Sequence, residues 1–426
     1  MLRPSLDLAV QCLRSAFPRT LTAAAALAAA LALFAARPAS AEALLLVDAA
    51  SGKVLHAENA TVPWYPASVT KLMTAYVTLQ AVKDGTITLD ALINVSENAV
   101  AQQPTKMGFR AGTQVTVDNA LKMMMVKSAN DMAVALAEGV GGSIDQFAEQ
   151  MNTAAQRLGM TQSHFVNPNG LPNENQVTSA RDLAILARAL IYQFPEYDFY
   201  WHIPAIRLGR RVMRNYNTLI DRYPGADGMK TGFICAAGFN LVATATRGDK
   251  RMIAVVLGAP SSSVRALQAA QLLEKGFNAG PMSWLFGSLG TVDQLVPVAM
   301  APPDLYETSC GKHRRRPAAE SEEDTAGSDD PETASAYAAM HQSLRAQKVV
   351  LGPLTPSMPP IEVFVGANKP RPRPVVTRAA ASADGSEAPA KKPAAAKPAA
   401  AKAPSKKPRP AASPATAAKP QARPGS

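Results

Sequence analysis

The chain has 426 residues, of which 47% are hydrophobic and 18% charged, and a formal net charge of +11 at pH 7. Residues 369–426 hold thirteen Lys or Arg against two acidic residues, so this tail alone accounts for +11, whereas residues 42–368 carry −3. The basic character therefore lies in the tail, and the rest of the chain lacks the charge expected of a nucleic-acid-binding protein.

The first 41 residues predict a secretory signal peptide. Arginines precede an apolar run at 21–36, and small residues follow at Ala39 and Ala41. A positive end, an apolar segment and small residues in this order predict cleavage after Ala41. An uncleaved membrane anchor is the alternative, for which the run is slightly short.

Two cysteines, Cys235 and Cys310, remain in the mature chain, because Cys12 leaves with the signal. In an oxidising compartment they either form a disulfide or stay as one buried and one free thiol. The sequence leaves both alternatives open.

Between residues 43 and 278, apolar runs separated by turn residues indicate a folded domain. Its first two strands flank a turn at Ala49–Gly52. Apolar residues at helical spacing predict four helices, at 68–83, at 117–126, from "SAND" to the following glycines, and at Ser179–Ile191. Two near-continuous strands flank the turn at Arg247–Lys250, and "VRALQAAQLLEKGF" is a closing helix. Strands at both ends predict an α/β domain whose sheet is completed by distant segments.

Beyond this domain the pattern weakens. Residues 279–368 form a poorly defined, charged and loop-rich region, in which "PPIEVFVG" predicts one strand. Residues 369–426 are rich in Lys, Pro and Ala and contain no aromatic residue. Such a segment buries too little apolar area to offset its conformational entropy, so we predict that it is disordered.

The stretch "PASVTKLMTAYV" puts Ser68 three residues before Lys71 on a predicted helix, where both side chains share one face. A serine hydroxyl is a weak nucleophile that needs an adjacent base, and a lysine can be that base if its pKa is lowered until the amine is neutral. Taken alone, the pair is more typical of a helix cap followed by a solvated lysine.

Two further motifs favour catalysis. "KSAND" presents Ser128 and Asn130 at the start of a helix, and "DGMKTGF" presents Lys230, Thr231 and Gly232 before a strand-like run. On a strand, Lys230 and Gly232 share one face, and glycine allows a substrate backbone to approach closely. The ordered set S-x-x-K, S-x-N and K-T-G is closely related to the motifs of β-lactamases and penicillin-binding proteins.

Residues 42–278 resemble the D-alanyl-D-alanine carboxypeptidases, the low-molecular-mass penicillin-binding proteins. The similarity extends to "HFVNPNGL", "TSARDLAILARAL" and "AGFNLVATAT". It implies a β-lactamase/transpeptidase-like fold, with an antiparallel sheet packed against helices and a helical subdomain. It also implies a serine hydrolase of peptidoglycan stem peptides that uses no cofactor, is acylated by β-lactams, and acts in the periplasm or cell envelope, free or membrane-associated.

The resemblance implies a role for each residue of the three motifs. Ser68 attacks the carbonyl between the two terminal D-alanines, Lys71 takes the Ser68 proton, and Ser128 relays a proton to the leaving amine. Asn130 holds the substrate amide and orients Lys71. Lys230 adds a second positive charge that keeps Lys71 neutral.

The substrate-binding residues follow from the same resemblance. Thr231 binds the terminal carboxylate beside Gly232, and the backbone N–H groups of the nucleophile and Phe233 form the oxyanion hole. Relatives often have a histidine or tyrosine where Phe233 stands, so substrate preference is the property that this residue affects. Arg265 matches the family's carboxylate-binding position, and Arg214 is a second candidate, each with a surface arginine as the alternative.

Three other functions share some of these residues. A class A β-lactamase needs a glutamate in E-x-x-L-N, and none of the glutamates between Asn130 and Lys230 begins that pattern. A D,D-endopeptidase uses the same residues and differs in the room around the carboxylate end of the substrate. A non-catalytic wall-binding protein is disfavoured by the intact motifs.

The remaining signals predict structural roles. His164 is expected to pack or hydrogen-bond locally, the methionines at 123–125 to lie in the core, and no H-E-x-x-H spacing predicts a metal site. The tail lacks the apolar face of a membrane-surface helix. Its charge predicts either weak electrostatic contact with anionic lipid or wall polymers or a solvated spacer.

Overall fold

The computed structural model describes residues 42–279, 289–311 and 351–367. The predicted signal peptide, most of the charged stretch after Cys310 and the predicted disordered tail lie outside the described residues.

The described chain forms ten strands, eight α-helices and three 3-10 segments. The strands are β1 (Ala43–Asp48), β2 (Val54–Glu58), β3 (Leu92–Asn94), β4 (Gln114–Thr116), β5 (Ala205–Leu208), β6 (Arg211–Arg214), β7 (Ala226–Ile234), β8 (Gly238–Arg247), β9 (Lys250–Ala259) and β10 (Ile361–Val363). The helices are α1 (Lys71–Lys83), α2 (Glu97–Ala101), α3 (Val117–Lys127), α4 (Asn130–Gly141), α5 (Ile144–Leu158), α6 (Ala180–Gln193), α7 (Ser262–Phe277) and α8 (Tyr306–Cys310). The 3-10 segments are Ala67–Thr70, Pro195–Trp201 and Val292–Gln294.

The largest sheet has five antiparallel strands in the order β2-β1-β9-β8-β7. Strands β1 and β9 pair in continuous register, from Ala43 opposite Leu257 to Asp48 opposite Met252. The first strands of the domain therefore complete a sheet whose other strands come almost 200 residues later, as the sequence predicted. Strand β7 lies at one edge of this sheet.

Both faces of the sheet are buried, which explains why its strands read as near-continuous apolar runs. In β9, Ile253 and Val255 belong to one core cluster, whereas Ala254 and Val256 belong to the other. This alternation follows from the two-residue period of a strand. Helix α7 contributes to the second cluster and α6 to the first, so helices cover the two faces.

The helical part of the domain packs on the first core cluster through α1, α3, α4 and α5. The methionines at 123–125 are at most 1% exposed, which confirms that they belong to the core. Helix α4 ends before Gly142, in agreement with the glycine stop signal. Helix α5 was not predicted, although Phe147 and Met151 are fully buried on one side of it.

Parts of the region 279–368 contact the residues that precede it. A disulfide joins Cys235 to Cys310, so the first of the two alternatives for these cysteines applies. Strand β10, which corresponds to the strand predicted in "PPIEVFVG", pairs in parallel with β5 and places Ile361 opposite Ile206. The domain boundary at residue 278 stays a prediction, but packing against the domain continues well beyond it.

Candidate active site

Ser68 lies in the 3-10 segment that leads directly into α1. Pro66 occupies the N-cap position of this segment and no side chain caps it, so the helix-cap explanation of Ser68 is wrong. The Ser68 hydroxyl instead lies 2.8 Å from Lys71 Nζ. A three-residue separation on a helical turn brings the two side chains to this distance.

Lys71 is completely buried, and oxygen atoms surround its amino group. Besides Ser68 Oγ, Nζ lies 2.8 Å from Asn130 Oδ1 and 2.7 Å from the Asn169 carbonyl oxygen. A neutral amine has two N–H groups and one lone pair. If the two N–H groups donate to Asn130 and Asn169, the lone pair is directed at the Ser68 hydroxyl, which is the arrangement that a general base requires.

Ser128 and Asn130 stand at the junction of α3 and α4. Ser128 ends α3 in the left-handed region, with φ 57° and ψ 31°, and Asn130 begins α4. The Asn130 amide points its oxygen at Lys71, while its Nδ2 donates to the Gln103 carbonyl at 2.9 Å. Ser128 Oγ is buried and has no hydrogen-bond partner among the described residues. It is therefore free to bond to a bound substrate.

Asp131 stabilises this junction between α3 and α4 through its carboxylate. Its carboxylate accepts hydrogen bonds from the backbone N–H groups of Met107, Gly108 and Met132 at 2.9–3.0 Å. Burial raises the pKa of Asp131, and these N–H groups act in the opposite direction. The carboxylate thereby ties the loop between α2 and β4 to the first turn of α4, next to Asn130.

The K-T-G residues lie inside the edge strand β7, which corrects the prediction that they precede a strand. Lys230 is 2% exposed and Nζ donates to the Thr231 carbonyl at 2.9 Å. A Cβ on Gly232 would lie 2.8 Å from the Ser68 backbone nitrogen, so only glycine lets β7 run this close to the nucleophile. Thr231 Oγ1 is buried without a hydrogen-bond partner among the described residues.

Phe239, on the neighbouring strand β8, interacts with both Phe233 and Arg265. The rings of Phe233 and Phe239 stack with centroids 4.2 Å apart, and the Arg265 guanidinium lies 5.7 Å from the Phe239 ring centroid. Arg265 is 1% exposed and donates to the Asn240 carbonyl at 3.3 Å. It is thus a buried arginine and not a surface one.

Arg265 and Arg214 line the same cavity, which has a volume of about 350 Å³. Lys127, the residue before Ser128, also lines it and is hydrogen-bonded to Tyr216. The two arginines predicted from the sequence to bind the carboxylate therefore line one basic cavity. Arg214 itself is exposed at the end of β6.

The loop "NPNGL", residues 167–171, is part of this site, although no catalytic role was predicted for its residues. Gly170 has φ +80°, and a Cβ there would lie 1.8 Å from the Ala67 carbonyl oxygen. The backbone of Gly170 therefore passes directly beside that of Ala67, and the preceding residue, Asn169, directs its carbonyl at Lys71. The neighbouring Gln176 side chain donates to Thr70 Oγ1 at 3.0 Å and anchors the loop a second time. No side-chain pattern could have identified a backbone carbonyl as the ligand of the lysine.

Other predictions for single residues concern structure. The His164 imidazole is hydrogen-bonded to the Asn175 carbonyl through Nδ1, at 2.8 Å, in line with the local role expected of it. No cluster of three or more His, Cys, Asp or Glu suited to a metal ion occurs in residues 42–279, 289–311 and 351–367. In these same ranges, no helix has the length and apolar character needed to cross a bilayer.

Sequence comparison relates the chain to one family. The family model described as D-alanyl-D-alanine carboxypeptidase matches residues 32–261, more than half of the chain. D-alanyl-D-alanine carboxypeptidase DacC of Escherichia coli (strain K12) is 39% identical over 244 residues, which cover 56% of this chain and 61% of the relative. DacF of Bacillus subtilis (strain 168) is 35% identical over 244 residues, which cover 56% and 62%. The chain thus spans about three fifths of the length of these curated relatives.

Comparison with solved structures also finds similarity to proteins of this kind. Penicillin binding protein 5 from Haemophilus influenzae superimposes with a TM-score of 0.54 and 37% identity, over 55% of this chain and 70% of that one. Penicillin binding protein 6B from Escherichia coli gives a TM-score of 0.53 and 37% identity, over 55% and 77%. These similarities confirm the predicted α/β fold with an antiparallel sheet and helices.

Proposed function

Because the chain belongs to the D-alanyl-D-alanine carboxypeptidase family, we propose that it removes the terminal D-alanine from peptidoglycan stem pentapeptides through an acyl-enzyme on Ser68. The observation that carries this proposal is the contact of buried Lys71 with Ser68 Oγ and Asn130 Oδ1, both at 2.8 Å. A lysine without access to solvent is favoured in its neutral form, which can accept a proton from serine.

In the acylation step, Lys71 takes the hydroxyl proton as Ser68 Oγ attacks the carbonyl carbon between the two D-alanines. The resulting oxyanion accepts hydrogen bonds from the backbone N–H groups of Ser68 and Phe233, which are brought together by the close approach at Gly232. Lys230 is also buried near this cleft, and its positive charge favours the neutral form of Lys71.

Breakdown of the tetrahedral intermediate splits the C–N bond. The leaving amine of D-alanine takes a proton, and Ser128 Oγ, which lacks a competing partner among the described residues, is the group that relays it. Water then attacks the ester carbon, the C–O bond to Ser68 breaks, and the shortened stem peptide leaves with a new carboxylate.

Substrate orientation depends on the terminal carboxylate and the peptide amide. Thr231 Oγ1 donates to the carboxylate, and Arg265 supplies the buried positive charge beyond it. Arg214, exposed at the rim of the same cavity, adds a second charge. Asn130 both orients Lys71 and holds the substrate amide on the other side of the cleft.

Labelling with a fluorescent penicillin tests the nucleophile. Wild-type protein is expected to carry the label, Ser68→Ala to carry none, and Lys71→Ala to react about 10²–10⁴-fold more slowly, the usual effect of losing a general base. Lys122→Ala, which removes a lysine of α3 paired with Asp118, serves as the control and should label normally. Undiminished labelling of Ser68→Ala would show that Ser68 is not the nucleophile.

A D,D-endopeptidase that cuts cross-links is the second candidate function, since the same residues serve both reactions. A class A β-lactamase is disfavoured, because no glutamate between Asn130 and Lys230 begins E-x-x-L-N. The Asn169 carbonyl that contacts Lys71 Nζ cannot accept a proton from water as a glutamate does. The penicillin label is therefore expected to persist after free penicillin is removed.

We also propose export to the periplasm or cell envelope, on the signal-peptide pattern of residues 1–41. The partners there are stem peptides as substrates and β-lactams as covalent inhibitors. The relatives named penicillin binding proteins support the latter. No nucleic-acid partner is proposed.

A further inference from the structure

A segment from the C-terminal part of the described chain, residues 351–357, contributes Leu354 to the lining of the arginine-lined cavity. We call this segment the strap. Gly352 N donates to the Arg222 carbonyl and Arg222 Nε donates to the Gly352 carbonyl, both at 3.0 Å. This reciprocal pair fixes the strap at its first end.

The other end of the strap is held by Asp221. Thr355 N donates to the Asp221 carbonyl at 2.9 Å, and Ser357 N donates to Asp221 Oδ1 at 2.8 Å. Asp221 has φ 69°, and it also lines the cavity. Four hydrogen bonds therefore hold the residues between Gly352 and Ser357 in one position.

Leu354 lies between these two attachments and is one of the residues that line the cavity. It is 45% exposed, so it is not needed to fill the core. Val212, which is 48% exposed, is another apolar residue of the cavity wall. The cavity thus combines a buried positive charge, from Arg265, with exposed apolar residues from the strap and from β6.

We propose that Leu354 is a specificity-determining residue that limits the room for the leaving group and so favours carboxypeptidase over endopeptidase action. This inference rests on the proposed function, in which Arg265 and Arg214 receive the carboxylate of the leaving residue. Leu354 lines the same cavity as these two arginines, so the proposal places it beside the part of the substrate that departs.

The two reactions differ only in the size of that part. In both, Ser68 Oγ forms an ester with the acyl carbon, the C–N bond breaks, the departing amine takes a proton, and water later hydrolyses the ester. A pentapeptide releases one D-alanine, with a methyl side chain. A cross-linked dimer releases an amine whose side chain continues into a second stem peptide. A cavity of about 350 Å³ is at the small end of ligand pockets and suits the first leaving group.

The test uses the mature full-length chain with Leu354→Ala, Leu354→Trp and the control Val365→Ala. Val365 is 42% exposed in the same C-terminal segment but does not line the cavity. Each protein is given a stem pentapeptide and a cross-linked stem dimer, and products are quantified by mass spectrometry. Labelling with fluorescent penicillin reports that each active site is intact.

Leu354→Ala is expected to raise the ratio of dimer cleavage to pentapeptide cleavage about tenfold, the effect of a few methylene groups in a pocket. Leu354→Trp should lower that ratio, and Val365→Ala should leave it unchanged. An unchanged ratio in Leu354→Ala, with pentapeptide cleavage intact, would overturn the inference alone. A wild-type protein that releases no D-alanine would instead overturn the proposed function, and this inference with it.

Discussion

Three oxygen atoms from separate parts of the chain lie close to the amino group of the buried Lys71. The Ser68 hydroxyl comes from the turn before Lys71, and the Asn130 amide oxygen comes from the first residue of α4. The three-residue spacing predicted the first contact, and the family resemblance implied the second. The third oxygen is the Asn169 carbonyl. It belongs to the backbone, so its position depends on loop conformation and not on residue type.

Gly170 is the residue that sets this loop conformation, and its replacement is expected to be costly. Gly170→Ala should lower the free energy of unfolding by more than Gly159→Ala, its control. Both glycines have positive φ, at +80° and +76°, so each alanine adds about 1–2 kcal/mol of backbone strain. Only at Gly170 does the new Cβ meet another atom, the Ala67 carbonyl oxygen, because nothing lies within 4 Å of the corresponding position at Gly159.

Denaturant unfolding measures both variants. Gly170→Ala should also slow penicillin acylation, since the Ala67 carbonyl neighbours Ser68, whereas Gly159→Ala should not. Equal stabilities and equal acylation rates for the two variants would contradict the packing argument.

Glu274 provides a pH-dependent contribution to stability. The hydrogen bond from Arg247, at 2.9 Å, lowers the pKa of Glu274, and the Tyr223 hydroxyl donates to the same oxygen. A carboxylate with a pKa lower in the folded than in the unfolded state stabilises the fold above its unfolded pKa of about 4.3. That stabilisation is lost as the pH falls through the folded pKa.

Glu274→Gln should therefore lower the free energy of unfolding by about 0.5 kcal/mol at pH 7, a value typical of partly exposed pairs. The difference from wild type should disappear once the pH is below the lowered pKa. Glu149→Gln, at an exposed glutamate of α5, should have no such effect. A difference that persists unchanged in acid would rule out the carboxylate as its cause.

At the level of elements, apolar runs predicted strands of the main sheet, and apolar residues at helical spacing predicted most of the long helices. Strands β8 and β9 could be predicted because the buried faces on both sides make them apolar throughout. Strands β5 and β6 have four residues each, too few for a periodic signal. Helix α5 was not predicted, although its buried apolar residues recur at helical spacing and its pattern is readable in the sequence.

The disulfide shows a different limit, because pairing depends on a distance in space between residues 75 positions apart. It joins the end of β7, just after Phe233, to α8. Closing so long a loop restricts the unfolded chain, and its loss typically costs about 2–4 kcal/mol. The double variant Cys235→Ser, Cys310→Ser should therefore be less stable than wild type by that amount.

Thermal unfolding with and without a thiol reductant checks this prediction. With reductant, the unfolding midpoint of the wild-type protein should fall to that of the double variant. The midpoint of the variant should not change. Identical midpoints for oxidised wild type and the variant would show that the cross-link contributes nothing.

At the level of the whole molecule, charge separates the chain into two parts. Residues 42–368 carry −3 and residues 369–426 carry +11. The described residues belong to the first part, so the role of the tail stays a hypothesis from sequence. Near an anionic lipid surface each Lys or Arg contributes about 1 kcal/mol, which is sensitive to salt.

We expect the full mature chain to sediment with vesicles containing anionic phospholipid at low salt and to be released at high salt. A chain ending at Asn368 should stay in the supernatant under both conditions. Vesicles of neutral phosphatidylcholine serve as the control for either protein. If the shortened chain sediments as the full one does, tethering by the tail is wrong.

The central claim, that Ser68 cleaves the bond between two terminal D-alanines, is tested most directly by the mass of the products from a stem pentapeptide. Wild-type protein should convert the pentapeptide to a tetrapeptide with release of one D-alanine, and Ser68→Ala should leave it intact. An intact pentapeptide after incubation with the wild-type protein, or equal conversion by Ser68→Ala, would contradict the account.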